Sequence, residues 1–552
     1  MTTVVNSPTG ADPHPFGVDG PRVPPGPGLW ERDPAHQERP FCRLWFDVLP
    51  AAFARGTAEG FERVGLPLAE LRIADVDGWF YGTMLSVDDD EFVARIEVAE
   101  RALAGRTWRT IADEWSSTER TRFVARNSEL QTIDVGVLDD DALATHLHDA
   151  LDLLADAGAR HFLQAIAHWV GVGMLVNEAA ELADWEPAAT IAALAGSSPG
   201  STAPLAALDA IAAAVAAAPN AAALLAADGD GEASSAVDEL RASSPTVRQA
   251  IDAYLDEFGW QVFTGFDFTH QAMIELPSLL LSTLRTVGRV PAHASDRLSE
   301  LLAKAPPEHR DRAAQLIDDA ITLYGIRDND SGLTIQQPLG LARRALLEAG
   351  RRAAAAGRLR DPDHIFDASR DDLDALVTGN GAVPHVDDLS ARSVRRQNPF
   401  IPPPLRLGDD DAPPDDELPP AMGTIVGALL AAMTLEAAEP REPTGDQREL
   451  RGCGASAGVY EGRARIVDRN GGFEHIEAGD ILIATMTTPA YNVVMPLLGA
   501  VVTDTGGMLC HAAIVAREFA IPAVVAAGTA TTDIPDGAHV RVDGNAGTIT
   551  LL

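Results

Sequence analysis

Apolar and polar positions follow two different periods along this chain. From Trp30 to about residue 395 the apolar residues recur every three or four positions, the spacing of one helix face. Phe41 to Gly65 carries this pattern, and Asp139 to Asn177 places Leu143, Leu147, Leu151 and Leu154 on one stripe. Ser244 to Phe258, Ala292 to Leu302, Arg310 to Tyr324 and Pro338 to Ala356 repeat it. Residues 186–240 are alanine-rich with Gly and Ser breaks. They predict loosely packed helices or a surface insertion. After residue 448 short β-like runs appear, such as Ala464-Arg465-Ile466-Val467 and Asp480 to Ala484. One helix is predicted there, starting at His511.

Punctuation divides these regions. Residues 1–29 are rich in Pro and Gly and predict a flexible tail. The stretch from Asn398 through Pro402-Pro403-Pro404 and Gly408-Asp409-Asp410-Asp411 to Pro420 combines stiff prolines with repelling aspartates. It predicts an extended, solvated linker. A short helix (Met422 to Ala438) and a second break (Pro440 to Gly445) follow. The expected layout is a tail at 1–29, a mainly α-helical domain at 30–395, a linker at 396–447 and a small domain at 448–552. The fold class is multidomain α+β.

Composition narrows the function classes. The chain has 552 residues, 46% of them apolar, enough for two to four domains with real cores. The run Ile425 to Met433 is too short to cross a membrane. The N-terminus lacks the basic-then-apolar order of a signal peptide, so a cytoplasmic protein is expected. The net charge of −38 argues against nucleic acid and anionic membranes as partners. Little of it falls in 451–552, where ten acidic residues face six basic ones. Lys304 is the sole lysine. Cys42, Cys453 and Cys510 are widely spaced and form no metal-like cluster.

The chemistry concentrates in Thr503-Asp504-Thr505-Gly506-Gly507-Met508-Leu509-Cys510-His511-Ala512-Ala513-Ile514-Val515-Ala516-Arg517-Glu518. A strand-like run ends in a Gly-Gly turn, and a histidine stands where a helix begins. Free N–H groups and the positive dipole end at a helix start favour an anion. Paired glycines let backbone approach that anion. An imidazole nitrogen can attack phosphorus and later leave it. On position alone, a cap or a buried structural histidine is the competing reading.

The wider pattern resembles the phosphohistidine swivelling domain of PEP-utilising enzymes, which include PEP synthase, pyruvate phosphate dikinase, rifampin phosphotransferase and phenylphosphate synthase. The resemblance rests on Gly506-Gly507-x-x-Cys510-His511 through Glu518 and on Ile521-Pro522-Ala523-Val524-Val525. Gly454 to Arg465, Ala478-Gly479-Asp480 and Pro535-Asp536-Gly537 to Gly547 extend it over roughly 451–552. It implies a small β/β/α domain with His511 phosphorylated. Thr503 and Arg517 would support the histidine or its phosphoryl group. Gly506, Gly507 and the N–H groups after Cys510 would cradle the phosphate.

A second, broader resemblance links the helical region to the substrate domain of rifampin phosphotransferase. It rests on Trp30-Glu31-Arg32-Asp33, Tyr254 to Trp260, Gly265-Phe266-Asp267, Arg343 to Arg352 and Gly357 to Phe366. Asp367-Ala368 and the 186–240 insert depart from that pattern. Neither an ATP-grasp domain nor a PEP/pyruvate barrel is recognisable. The family precedent is then a split enzyme of the phenylphosphate or alkylphenol-phosphorylating synthase type. A separate ATP-grasp subunit would bind ATP and Mg²⁺ and charge His511, and the carrier would swing to a phenol in the helical domain. The acceptor side needs a base. Its candidates are His36, Asp267, His270, His161 and His168, with Trp260 among aromatics that include Trp79, Phe80, Tyr81, Trp169, Phe263 and Phe266. Two other readings stay open: an antibiotic phosphotransferase of the rifampin type, and a non-catalytic phosphocarrier.

Overall fold

A computed structural model describes residues 23–34, 36–37, 39–226, 233–263, 265–285, 297–397, 403–409, 418–436, 448–467 and 473–552. Residues 1–22 of the predicted tail at 1–29, the start of the Ala292–Leu302 helix and residues 398–402, 410–417 and 437–447 of the linker lie outside these residues. The chain forms two compact units interleaved in sequence. One comprises residues 1–167, 266–270 and 333–425. The other comprises 168–265, 271–332 and 426–552. The carrier segment 448–552 therefore shares a unit with helices that precede residue 333, whereas a single helical domain at 30–395 was expected.

In the first unit the helix Arg43–Val64 ends at Gly65, whose left-handed φ of 74° suits a residue without Cβ. It crosses the helix Asp140–Ala183 closely. A Cβ at Gly56 would come 2.1 Å from the Ala159 carbonyl oxygen, and one at Gly60 would meet Ile166 at 2.8 Å. The same unit holds a small antiparallel sheet that helical periodicity did not announce. Its strands are β1 (Trp30–Arg32), β2 (Leu68–Val76), β3 (Trp79–Ser86) and β4 (Arg406–Leu407), in the order β2-β3-β1-β4. Trp30, Ala74, Trp79, Tyr81 and Leu407 form its core.

This sheet corrects two expectations. Trp79 and Tyr81 are fully buried in it and line no substrate pocket. Residues 403–409 are not free linker: β4 pairs with β1, and the Tyr81 hydroxyl donates to the Pro404 carbonyl at 2.5 Å. An apolar strand finds a partner whatever prolines flank it, because its backbone groups must be satisfied once buried.

The second unit contains an eight-stranded mixed sheet. Its strands are β5 (Glu449–Arg451), β6 (Cys453–Ser456), β7 (Val459–Ile466), β8 (Asp480–Ala484), β9 (Leu498–Thr503), β10 (Ala523–Val525), β11 (His539–Asp543) and β12 (Thr548–Leu551). The order is β5-β12-β11-β7-β8-β9-β10-β6, with β7 to β10 running parallel. Ile481, Ile483, Ala500, Val502, Val524, Val540, Val542 and Ile549 fill its core. The parallel strands are apolar at successive positions because both faces are covered. One cover is the helix His511–Glu518, which packs on β9, β10 and β6. The helix Pro420–Glu436 buries Ala428, Leu429 and Ala432 beside the long helix Asp140–Ala183. Gly173 lets it approach: a Cβ there would come 1.9 Å from the Ala428 oxygen.

The described residues of the alanine-rich segment are mainly helical, with Leu205, Leu208 and Ile211 buried. No single described helix is long and apolar enough to cross a membrane. One pair bent by 112°, Gly200–Ala216 and Pro219–Ala226, passes by length and composition together. Leu205, Leu208 and Ile211 of its first helix are buried inside the second unit, as in a core helix.

Candidate functional site

The parallel pair β8–β9 builds the site. Register sets Ala484 opposite Thr503, so both strands end at one level and their loops emerge side by side. Ligand sites form at such carboxyl ends of parallel strands. The two loops are zipped together. The Asp504 N–H donates to Ala484 at 3.1 Å, and the Thr505 N–H and hydroxyl both donate to Thr485 at 3.1 and 2.9 Å. Asp504 in turn accepts from the N–H and hydroxyl of Thr531.

This brings His511, first residue of the helix His511–Glu518, beside two side chains that sequence reasoning missed. Its Nδ1 lies 2.7 Å from the Thr487 hydroxyl, and its Nε2 lies 2.9 Å from the Asn492 amide oxygen. Thr487 and Asn492 are themselves buried. An amide oxygen only accepts, so this geometry puts the ring proton on Nε2 and makes the Thr487 hydroxyl a donor to Nδ1. The signal available in the sequence was Thr487-Thr488-Pro489 directly after a strand, a turn that aims hydroxyls back at the strand ends.

The glycines have specific tasks. Gly506 has φ of 102°, and a Cβ there would meet the Cys510 Sγ at 2.7 Å. At Gly507 a Cβ would come 2.4 Å from the Leu435 oxygen, at the end of the helix Pro420–Glu436. The same oxygen accepts from the Leu509 N–H at 2.9 Å. The histidine loop thus rests on that helix end, which only a bare backbone permits. Cys510 occupies the N-cap position with φ −69° and ψ 160° without capping through its side chain. Burial pushes its thiol up to about 11, so at neutral pH it is neither a nucleophile nor a ready metal ligand.

Thr503 and Arg517 hold the loop that carries His511. The Thr503 hydroxyl donates to the Thr505 carbonyl at 2.8 Å and shapes the turn. The buried Arg517 guanidinium donates to the carbonyls of Met508 (2.7 Å) and Ala455 (2.9 Å) and to the Tyr324 hydroxyl (2.9 Å). It braces the loop from behind. Its partners are neutral, so its charge is left to attract an anion nearby.

The acceptor-side candidates scatter. His36 is exposed and pairs with Asp33 at 2.8 Å. Asp267 is buried and accepts from the N–H groups of Cys42 and Thr269 and from the Thr269 hydroxyl. Burial acts to raise its pKa, but His270, Arg396 and these hydrogen bonds outweigh it and hold the carboxyl below its ordinary value. A carboxylate so held is an anchor and a weak base. His270 accepts from the Asp267 N–H through Nδ1 at 3.1 Å. His168 is buried with Nδ1 3.1 Å from the Leu323 carbonyl, a structural donor. His161, one helix face away by seven residues, falls in the other unit, with Nδ1 3.3 Å from the Thr334 hydroxyl. Trp260 is half-buried in the loop after the helix Pro245–Phe258. Among the aromatics, Phe263 reaches the carrier: it stacks on Tyr491 at 5.4 Å, and its carbonyl accepts from Thr488 at 2.9 Å.

The comparisons with known proteins agree with this geometry. Residues 476–547 match the mobile domain of PEP-utilising enzymes, and residues 142–328 match the rifampicin phosphotransferase fourth domain. The first match includes His511 and the helix that it begins. Among curated relatives, an uncharacterized phosphotransferase of Bacillus subtilis, YvkC, is 26% identical over 55% of this chain and 36% of its own length. A rifampicin phosphotransferase of Streptomyces sviceus is 27% identical over 55% of this chain and 34% of its own. A probable phosphoenolpyruvate synthase of Archaeoglobus fulgidus is 42% identical over 21% of this chain and 16% of its own. The chain spans about a third of the length of the first two.

Proposed function

We propose that this chain is the histidine-bearing and acceptor-binding part of a dikinase-type phosphotransferase. His511 takes the β-phosphoryl of ATP, with Mg²⁺, from a separate ATP-grasp subunit. It passes the group to a hydroxyl acceptor, a phenol or alkylphenol first. The observation that carries the reading is the placement of His511: at a helix start after a Gly-Gly turn, with both ring nitrogens held by neutral side chains.

The first step forms a P–N bond between the imidazole and the β-phosphorus as the P–O bond to AMP breaks, and water then takes the γ-phosphoryl off as inorganic phosphate. The second forms a P–O bond to the acceptor as the P–N bond breaks, and the hydroxyl proton goes to a base or to the leaving imidazole. We take Nε2 as the reacting nitrogen, which attacks after the ring proton has moved to Nδ1. Asn492 is a neutral amide that can turn and offer its N–H₂ to a phosphoryl oxygen. The Thr487 hydroxyl can then reverse and accept the Nδ1 proton, steadying the ring as it gains charge. Helix N–H groups and the uncompensated Arg517 favour the dianion. The sole lysine, Lys304, lies 5.5 Å over the Trp185 ring, an unsuitable place for clamping nucleotide phosphates. That supports an ATP site elsewhere.

The match of residues 142–328 to the rifampicin phosphotransferase fourth domain favours a second reading, a rifamycin acceptor. One experiment tests both. The chain is mixed with a candidate ATP-grasp protein, labelled ATP, and either a phenol panel or a rifamycin. Acid-labile label on His511 that chases into aryl phosphate supports the first reading, and a phosphorylated rifamycin supports the second. Label that moves to neither leaves a carrier without acceptor chemistry. Product formation by His511→Ala sinks all three.

A further inference from the structure

The first unit contains a buried polar seam that the carrier site does not use. Between the helices Arg310–Ser331 and Gln337–Ala355 the chain makes a π-turn, Gly332–Gln336. Such turns are rare and concentrate at functional sites. Two other helices face this turn. From Arg120–Thr132, Asn127 donates through Nδ2 to the Leu333 carbonyl at 2.9 Å and to the Gln337 Oε1 at 3.1 Å. Gln337 donates onward to the Gln131 Oε1 at 3.0 Å. From the long helix Asp140–Ala183, His161 meets the Thr334 hydroxyl, and Gln164 lies one turn further along the same face.

Several of these groups are buried and unpaired. Gln336 is 0% exposed, and neither its Oε1 nor its Nε2 has a hydrogen-bond partner. Gln164 is 4% exposed with an unpaired Nε2, and Asn127 is 1% exposed with an unpaired Oδ1. Buried amides are almost always satisfied, and an unsatisfied one destabilises the fold. Four such atoms lie on one π-turn and on the two helices hydrogen-bonded to it. Proteins break local rules of this kind mainly where function demands it.

We infer that this seam is a binding site for a small neutral hydroxyl compound. The two unpaired amide nitrogens donate, and the two unpaired oxygens accept. A hydroxyl both donates and accepts, so it can complete either kind. Apart from His161 the groups named here are uncharged, so nothing in the set neutralises an ionised ligand. That the bound hydroxyl is the one His511 phosphorylates rests on the function proposed above; the site itself does not.

The test is direct binding to the full chain, using phenol as probe and benzene as its hydroxyl-free control. The expected result is tighter binding of phenol than benzene in the wild type. Gln336→Met and Gln164→Met each weaken phenol binding about tenfold or more while raising the melting temperature of the free protein, because an unpaired buried amide is gone. Phenol binding no tighter than benzene, or equal in wild type and both variants, overturns the inference and leaves the seam to water alone. Potassium phosphoramidate labelling of His511 in the same samples is a separate readout. Its failure in the wild type counts against the carrier reading and leaves the binding result standing.

Discussion

The histidine loop and the π-turn seam treat polar groups in opposite ways. Around His511 nearly every polar atom has a partner: Thr487 and Asn492 hold the ring, Thr503 and Thr505 close the turn, and Arg517 braces it. In the seam, Gln336, Gln164 and Asn127 keep atoms with none. The difference teaches what each place is for. A carrier must present one atom in one geometry to successive partners, which preorganisation serves. A binding pocket completes its hydrogen bonds when the ligand arrives.

The comparison can be broken most forcefully at the histidine. His511→Ala should abolish acid-labile labelling, on the order of 10³-fold or more, with little change in melting temperature because the ring is only half-buried. Labelling that persists at another residue sinks the carrier assignment.

Gly507→Ala is the next largest effect. Its Cβ would press on the Leu435 backbone oxygen, which cannot swing aside as a side chain can. We expect a loss of about 1–3 kcal/mol in stability, read by chemical denaturation, and slower labelling. An unchanged denaturation midpoint shows that the helix end does not fix the loop.

Thr487→Val removes one hydroxyl and leaves the shape. If the hydroxyl orients the ring, labelling slows by about 10–100-fold, or roughly 1.4–2.7 kcal/mol of barrier, with Thr487→Ser restoring most of it. Equal rates in Val and Ser variants would reduce Thr487 to packing.

His146 sharpens the comparison from the other side. It is buried with both ring nitrogens unpaired. Burial first, then the Arg344 charge, lower its pKa below the ordinary 6.5, and Asp149 opposes them. A histidine with a depressed folded pKa takes up its proton more readily when unfolded. Stability is therefore full above about pH 6.5 and falls as pH drops toward the folded pKa. His146→Leu should flatten that slope and raise the melting temperature by about 2–4 °C, as ~1 kcal/mol does for a domain of this size. Calorimetry at pH 5 and 7 checks both. If the slope survives the substitution, another group carries it.

Much of this was legible in the chain. Helices announced themselves where a stripe of leucines or alanines met a capping glycine, as in Arg43–Val64 with Gly65. Strand β8 fell at Asp480–Ala484, where its apolar run placed it. His511 stood out because a Gly-Gly turn, a histidine and a helix start are adjacent in sequence. Thr487 and Asn492 did not, because they reach the ring from 24 and 19 residues away, and only the β8–β9 register brings them there. Arg517 looked like a phosphate ligand by position; its direction is set by Met508, Ala455 and Tyr324, the last from a helix almost 200 residues earlier.

The sequence by itself determined the local elements, the histidine at a helix start and its glycine turn, since these depend on periodicity and on backbone freedom within a few residues. Tertiary structure decided which side chains hold the ring, that residues 403–409 join a sheet, and that His161 and His168 serve different units. It also left Gln336 and Gln164 buried without partners. Those outcomes depend on long-range pairing and packing, where the need to satisfy buried backbone and polar groups overrides what neighbouring residues prefer.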